Sequence, residues 1–320
     1  MGFGFVFPGQ GSQSVGMLAE LAGSSDGAPL RETFNEARGV LGYDLWELIS
    51  AGPAEQLNAT EYTQPALLAA CIGLWRLWRQ RGGAEPTVVS GHSLGEFTAL
   101  VAAGALEFAE ALALVRTRGQ LMQAAVPEGS GAMAAILGLE DAAVVQVCRD
   151  SAGGQVLEAV NFNAPGQVVV AGERTAVQRA IEAARACGAK RAVVLPVSVP
   201  AHSSLMRPAA ERLAERLAAV HWQAPRLAFI SAVDAREHRD PGELPGLLTR
   251  QLASPVRWSE TVRALAARGL NPIIECGPGK VLTALNRRIG RDGNLECLAL
   301  EDRDSLEQAL AAVACGDNDA

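Results

Sequence analysis

The sequence is poor in lysine, in aromatic residues and in clustered cysteine, and these shortages exclude several classes of protein. Lysine occurs at only two positions and the net charge is −7, so there is no basic stripe suited to a nucleic acid. The six cysteines lie far apart without a C-x-x-C pair, which excludes zinc-ribbon and thiol-redox motifs. No apolar run is long enough to cross a membrane. We therefore expect a cytoplasmic protein with reduced thiols, no bound metal, and neither a nucleic-acid nor a membrane partner.

The composition that remains is that of a large globular protein. Hydrophobic residues make up 49% of the 320 positions, and 33 residues are glycine. This length exceeds that of one ordinary domain, so either one large domain or a large domain with a smaller one is expected. Because the net charge is negative, any anion that the protein binds must be met by a local cationic group.

Short apolar runs alternate with helical patterns at both ends of the chain. Strands are predicted near residues 3–7, 87–90, 227–230, 272–275 and 296–300. A helix is predicted at 64–79, with Pro65 in its first turn, and another at 107–125. Strands separated by helices indicate a parallel α/β sheet.

The middle of the chain has a different rhythm. Strands are predicted at 132–137, 156–161, 167–171 and 191–197, with helices at 141–151 and 175–187. This βαββαβ order is typical of a ferredoxin-like unit. We predict a large α/β domain formed by residues 1–126 and 199–320. A small ferredoxin-like domain, residues 127–198, is inserted into it.

The sequence around Ser93 fits the nucleophile-elbow pattern G-x-S-x-G. Gly91 and Gly95 flank it by two residues, between a predicted strand and an alanine-rich helical pattern. Such a turn exposes the serine hydroxyl, and the N–H of Leu94 then lies at a helix N-terminus, where it can stabilise an oxyanion. The elbow makes the large domain α/β-hydrolase-like.

A serine nucleophile requires a base, and His202 is the strongest candidate among four histidines. It lies between a predicted strand and a helix, where an open α/β sheet places its active site. We expect His92 to have a packing or turn-stabilising role, and His221 and His238 to lie at the surface. No acidic residue occupies a suitable loop for a triad, so a backbone or amide carbonyl could orient the imidazole instead.

Seven separated motifs resemble those of the malonyl-CoA:acyl carrier protein transacylases, the family of fatty-acid synthesis and polyketide acyltransferase domains. The resemblance covers nearly the whole chain, with Phe97 and Ala201 as small departures. The motifs are FPGQGSQ at 7–13, GHSLGE at 91–96, RGQLMQ at 118–123, NFNAPGQ at 161–167, VPAHS at 199–203, QLASPV at 251–256 and ECGPG at 275–279.

The resemblance implies a function and a role for individual residues. Malonyl would pass from malonyl-CoA to the phosphopantetheine thiol of a transiently bound acyl carrier protein, with no other cofactor and in a monomer. Ser93 would be the nucleophile and His202 its base. The N–H groups of Gln10 and Leu94 would form the oxyanion hole, and Gln251 would orient the histidine. Arg118 would bind the malonyl carboxylate. Further pocket positions would be Met122, Val199 and Ser203.

The resemblance also decides between two arginines, because Arg116 is an equally plausible carboxylate ligand from the sequence alone. Three alternative functions stay open at this point. The first is a polyketide acyltransferase that acts in trans, and the second is a serine esterase or thioesterase on the same elbow, which would not need Arg118. The third is a non-catalytic binding subunit, against which the intact Ser93 and His202 argue.

Overall fold

A computed structural model describes residues 2–197, 199–291 and 293–316, with the backbone alone at 315 and 316. Its strands form two separate sheets. The strands are β1 (Gly4–Phe7), β2 (Val88–Gly91), β3 (Gly131–Leu137), β4 (Leu157–Ala164), β5 (Gln167–Glu173), β6 (Arg191–Val194), β7 (Ala228–Ile230), β8 (Glu237–His238), β9 (Ile273–Glu275) and β10 (Cys297–Ala299).

Helices pack against both sheets, and short 3₁₀ turns lie at Ser204–Met206 and Pro241–Glu243. The helices are α1 (Ala19–Gly23), α2 (Ala28–Leu41), α3 (Leu45–Ala51), α4 (Ala54–Asn58), α5 (Thr60–Gln80), α6 (Gly95–Ala102), α7 (Phe108–Ala124), α8 (Asp141–Ser151), α9 (Arg174–Ala186), α10 (Arg207–Ala218), α11 (Leu244–Leu252), α12 (Trp258–Ala267), α13 (Val281–Ile289) and α14 (Arg303–Gly316). Within the described ranges, no helix is both long and apolar enough to cross a membrane.

The first sheet has the order β10-β9-β1-β2-β7-β8 and is parallel except for β8, which runs antiparallel to β7. Its central strands β1 and β2 are buried throughout, as in a parallel sheet with helices on both faces, and Phe5 and Phe7 are fully buried. Phe7 pairs with Gly91, so β1 and β2 end at the same edge of the sheet. The loops that follow these two strands therefore lie side by side, where an open α/β sheet binds its ligands.

The second sheet is antiparallel and has the order β4-β5-β3-β6. Helices α8 and α9 cover one of its faces, which gives the ferredoxin-like arrangement that the βαββαβ order predicts. The α/β fold class with two sheets is thus confirmed. All four strands lie between residues 127 and 198, the predicted insert. The domain bounds themselves stay a prediction, and Ser198 at one of them lies outside the described residues.

Several predicted elements differ from the observed ones, and the following are examples. Helix α5 begins at Thr60, so Pro65 lies inside the helix and not in its first turn. Strand β6 ends at Val194, three residues before the predicted end. The segment around His238, expected to be a charged loop, contributes the short edge strand β8. Charged residues suit such an edge because its outer side faces solvent.

Candidate active site

Ser93 lies in a tight turn between β2 and α6. Its φ is +54°, a strained value for a residue with a side chain. A Cβ at position 91 would lie 1.9 Å from the carbonyl carbon of Gly95, and one at position 95 would lie 2.0 Å from the carbonyl oxygen of Phe7. The two glycines are therefore required by the close approach of strand and helix, as the elbow pattern predicts.

His202 is in contact with Ser93. The Ser93 hydroxyl donates to Nε2 of His202 over 2.7 Å, and Nδ1 of His202 donates to the backbone carbonyl of Gln251 over 2.9 Å. Because a carbonyl can only accept, Nδ1 carries the ring proton and Nε2 is free to accept one. The carbonyl of Gln251 thus occupies the position that an acidic residue has in a Ser-His-Asp triad.

The surroundings of His202 keep its imidazole neutral. The side chain is buried, and burial lowers its pKa from 6.5 to about 3, with the nearby positive charge of Arg118 as the next contribution. A neutral imidazole can accept a proton from Ser93 at physiological pH. The pair therefore has the geometry and the protonation state of a nucleophile with its general base.

Arg118 extends from α7 into the same site and is only 1% exposed. Its Nη2 donates to Oγ of Ser93 and to Oε1 of Gln251, both over 3.1 Å, and its Nη1 donates to Oε1 of Gln64 over 2.8 Å. Burial lowers its pKa from 12.5 to about 10, so the guanidinium stays charged at neutral pH. Its Nε has no hydrogen-bond partner among the described residues. A buried cation with an unused donor beside the serine suits a small carboxylate.

Arg116, the alternative from the sequence, points elsewhere. Its guanidinium lies 5.6 Å from the ring centroid of Tyr43 and donates to the carbonyl of Leu41 over 3.1 Å. The structure therefore distinguishes the two arginines, which the sequence alone does not.

Ser93 opens into a cleft between the two sheets. Of the predicted residues, Gln10, Leu94, Met122 and Val199 line it, whereas Ser203 does not. The Ser203 hydroxyl is buried and donates to the carbonyl of Pro200 over 2.7 Å. The second sheet and the segment after it contribute an opposite wall, formed by Met133, Asn161, Leu195 and Val197.

Two backbone N–H groups are available beside Ser93. Those of Gln10, in the loop after β1, and Leu94, before α6, donate no hydrogen bond to any other described residue. Both residues line the cleft. An oxyanion hole needs fixed donors without other partners, and these two N–H groups meet that requirement. No group of three or more potential metal ligands is present in the described part of the chain.

The sequence matches known acyltransferases along nearly the whole chain. Residues 4–305 match the acyl transferase domain family. The malonyl CoA-acyl carrier protein transacylase of Salmonella typhimurium is 53% identical over 308 residues, which cover 96% of this chain and 98% of that protein. The chain belongs to the malonyl CoA-acyl carrier protein transacylase family. The resemblance found in its motifs is thus confirmed.

Solved structures of transacylases share the fold over nearly their full length. An acyl carrier protein S-malonyltransferase from Vibrio cholerae is 53% identical with a TM-score of 0.92, covering 96% of this chain and 99% of that one. A malonyl-transacylase solved in complex with its type II PKS acyl-carrier protein is 48% identical with a TM-score of 0.94, covering 97% and 99%.

The other histidines of this transacylase family member have separate environments. Nε2 of His92 lies 2.9 Å from Oδ1 of Asn163, and its ring packs edge-on against Trp258 at 5.5 Å between centroids. These contacts fit the expected packing role. His221 is exposed as expected. His238, expected at the surface, is only 11% exposed, and its two ring nitrogens lie 3.1 Å from carboxylate oxygens of Asp234 and Glu243.

Sequence reasoning missed two polar residues of the site. Gln64 holds Nη1 of Arg118, and nothing in the helical pattern around it indicates this contact. Glu96 closes the elbow motif, and it is fully buried with its carboxylate 2.6 Å from Nε2 of Gln251. A carboxylate in an otherwise apolar helix, directly after the elbow, is a signal that could have identified it.

Proposed function

We propose that this chain transfers the malonyl group of malonyl-CoA to the phosphopantetheine thiol of an acyl carrier protein through a malonyl ester of Ser93. The observation that carries the proposal is that one hydroxyl lies within hydrogen-bond distance of both a base and a cation. His202 is 2.7 Å and Arg118 is 3.1 Å from Oγ of Ser93. A base at this distance activates the serine, and a cation at this distance reaches a carboxylate carried by the acyl group.

In the first half of the proposed reaction, Ser93 attacks the thioester carbonyl while Nε2 of His202 takes its proton. The carbonyl oxygen becomes an oxyanion, which the N–H groups of Gln10 and Leu94 stabilise. The intermediate collapses, the C–S bond breaks, and His202 returns the proton to the leaving thiolate of coenzyme A. The carbonyl of Gln251 holds the imidazolium that forms in between.

The second half uses the same groups in reverse. The phosphopantetheine thiol of the carrier protein gives its proton to His202 and attacks the ester carbonyl, and Ser93 leaves and regains the proton. One site thus serves two thiols in turn, so ping-pong kinetics are expected. The phosphopantetheine group is attached to the carrier protein, so the reaction needs no further cofactor.

Arg118 favours the malonyl group over neutral acyl groups. Once Ser93 is esterified, its oxygen becomes a poor acceptor, and the Nη2–H that it held becomes available beside the unpartnered Nε. A carboxylate on the acyl chain can then accept from a charged fork. A simple esterase or thioesterase would have no use for a buried cation at this position, which favours the transacylase over that alternative.

The carrier protein of fatty-acid synthesis is the proposed partner. A polyketide carrier is a second candidate, because a 48% identical malonyl-transacylase was solved in complex with a type II PKS acyl-carrier protein. Comparing kcat/KM for transfer to the two kinds of holo carrier protein decides between them. We also propose that the protein acts as a monomer in the cytoplasm, since Ser93, His202 and Arg118 of a single chain already meet within hydrogen-bond distance. Sedimentation velocity tests the monomer.

The proposal is tested by trapping the intermediate. The protein is mixed with radiolabelled malonyl-CoA, quenched in acid and digested, and the labelled peptide is sequenced by mass spectrometry. Label on Ser93, absent in Ser93→Ala, is the expected result. Absence of label from the wild-type protein, or label on another residue, contradicts the proposal.

A further inference from the structure

Glu96 is a buried acidic residue beside the proposed site that the reaction described above does not use. It lies in the first turn of α6 and has no exposed surface. Its Oε1 accepts from the hydroxyl of Ser231 over 2.8 Å and from the N–H of Ala232, and its Oε2 accepts from Nε2 of Gln251 over 2.6 Å. Every observed contact of this carboxylate is thus one in which it accepts.

The donors around Glu96 are fixed in direction. Ser231 Oγ accepts from the N–H of Val233 over 3.1 Å, so its own proton is free to point towards Glu96. The Gln251 amide nitrogen has two protons, and these go to Oε2 of Glu96 and to the carbonyl of Ser93, which is 2.8 Å away. The amide oxygen of Gln251 must therefore face the opposite way, where Nη2 of Arg118 donates to it over 3.1 Å.

Reversing this amide would create repulsion on both sides. The oxygen of Gln251 would face the carboxylate and a carbonyl, and its nitrogen would face a guanidinium donor. The negative charge of Glu96 stabilises the charged form of Arg118 from across the Gln251 amide, which lies between the two side chains. Arg118 therefore has a partial counter-charge and a fixed partner while its Nε stays available.

We propose that Glu96 is a positioning residue for the malonyl carboxylate. It sets the direction of the Gln251 amide, and this amide in turn holds Arg118 at the distance where the acyl carboxylate reaches it. This inference rests on the proposed transferase function. The contact of His202 with Gln251 involves the backbone carbonyl at the end of α11, so it does not depend on the direction of that side chain.

The test is Glu96→Gln, assayed at about pH 8. Burial raises the pKa of Glu96 to about 7, so the wild-type carboxyl is largely ionised there. The new side-chain amide at position 96 places its own N–H groups against the N–H of Gln251 or against the donors of Ser231 and Ala232. Because a donor then faces a donor, the chain of hydrogen bonds breaks. We expect single-turnover acylation of Ser93 by malonyl-CoA to fall about tenfold, as for one weakened bond to a charged group. Acylation by acetyl-CoA, which has no carboxylate, should change less than about threefold by the same reasoning.

Glu275→Gln is the matched control. Glu275 is also fully buried with its pKa raised to about 7 by burial, but its carboxylate accepts from Leu282 and Thr283 at the start of α13. It should leave the malonyl-to-acetyl ratio unchanged. In Arg118→Ala, adding Glu96→Gln should have little further effect on malonyl transfer, since the two residues act through one chain of contacts.

Three results overturn the inference. Equal losses with malonyl-CoA and acetyl-CoA would make Glu96 a residue of the fold alone. Faster acylation by malonyl-CoA would mean that its charge opposes the substrate and that positioning is unimportant. An undiminished effect in the Arg118→Ala background would show that it does not act through Arg118. If the wild-type protein forms no malonyl-Ser93 in the same assay, the proposed function fails instead.

Discussion

Replacing Arg118 with alanine should separate malonyl transfer from the basic acyl-transfer chemistry. The guanidinium is buried, stays charged with its pKa near 10, and lies 3.1 Å from Oγ of Ser93. A hydrogen bond to a charged group contributes about 1.5–3 kcal/mol. Its loss corresponds to an approximately 10- to 150-fold fall in kcat/KM for malonyl-CoA. Acetyl-CoA has no carboxylate for Arg118 to bind, so its kcat/KM should be kept or should rise.

The assay is single-turnover acylation of Ser93, measured by intact-protein mass spectrometry with each thioester in turn. Arg116→Ala is the matched control, because it removes an arginine two residues earlier that packs on Tyr43 outside the cleft. Circular dichroism melting of both variants reports on folding, since Arg118→Ala also removes the donor to the side-chain oxygens of Gln64 and Gln251. Equal losses for both acyl groups in a folded variant would refute the assignment of Arg118 to the carboxylate.

Two further predictions concern pH. Burial and the charge of Arg118 lower the pKa of His202 to about 3. The rate of Ser93 acylation by acetyl-CoA should therefore not change between about pH 5 and 8. A fall in this rate below about pH 6.5 would contradict a neutral buried base. Burial raises the pKa of Glu275 from 4.5 to about 7, so the folded state binds the carboxyl proton more tightly than the unfolded state does. The stability that this difference contributes at low pH is lost as pH rises through 7. The free energy of unfolding of the wild-type protein, relative to Glu275→Gln, should therefore fall by about 3 kcal/mol between pH 4.5 and 8 in urea titrations, and an unchanged difference would rule out this titration.

The parts of the fold that the sequence predicts well are those governed by local pattern. The elbow is one example, because Gly91 and Gly95 are required by backbone contacts that any residue with a Cβ would block. The ferredoxin-like order is another, since the alternation of short strands and helices from β3 to β6 leaves few alternative topologies. The start of α5 is predicted less well. Proline favours the first turn of a helix, which points to a start at residue 64, but residues 60–63 extend the observed helix and two of them, Thr60 and Thr63, are buried.

The site was predicted where its residues belong to motifs and missed where they meet only through folding. Ser93 and His202 stand in recognisable loops, and the structure places them 2.7 Å apart. Gln64 lies on a helix with no distinctive pattern, so its contact with Arg118 depends on the packing of α5 against α7. The choice of Arg118 over Arg116 needed the family resemblance, because side-chain direction on a helix is set by tertiary packing.

The central claim is that malonyl-Ser93 is an intermediate that passes its acyl group to a thiol and not to water. Malonyl-enzyme, freed of malonyl-CoA by rapid gel filtration, is mixed with holo acyl carrier protein, and malonyl on the carrier is measured against free malonate. The account predicts that nearly all of the label moves to the carrier, and that apo carrier protein, which lacks the thiol, receives none. Release of the label mainly as malonate, at a rate independent of the carrier, would contradict it.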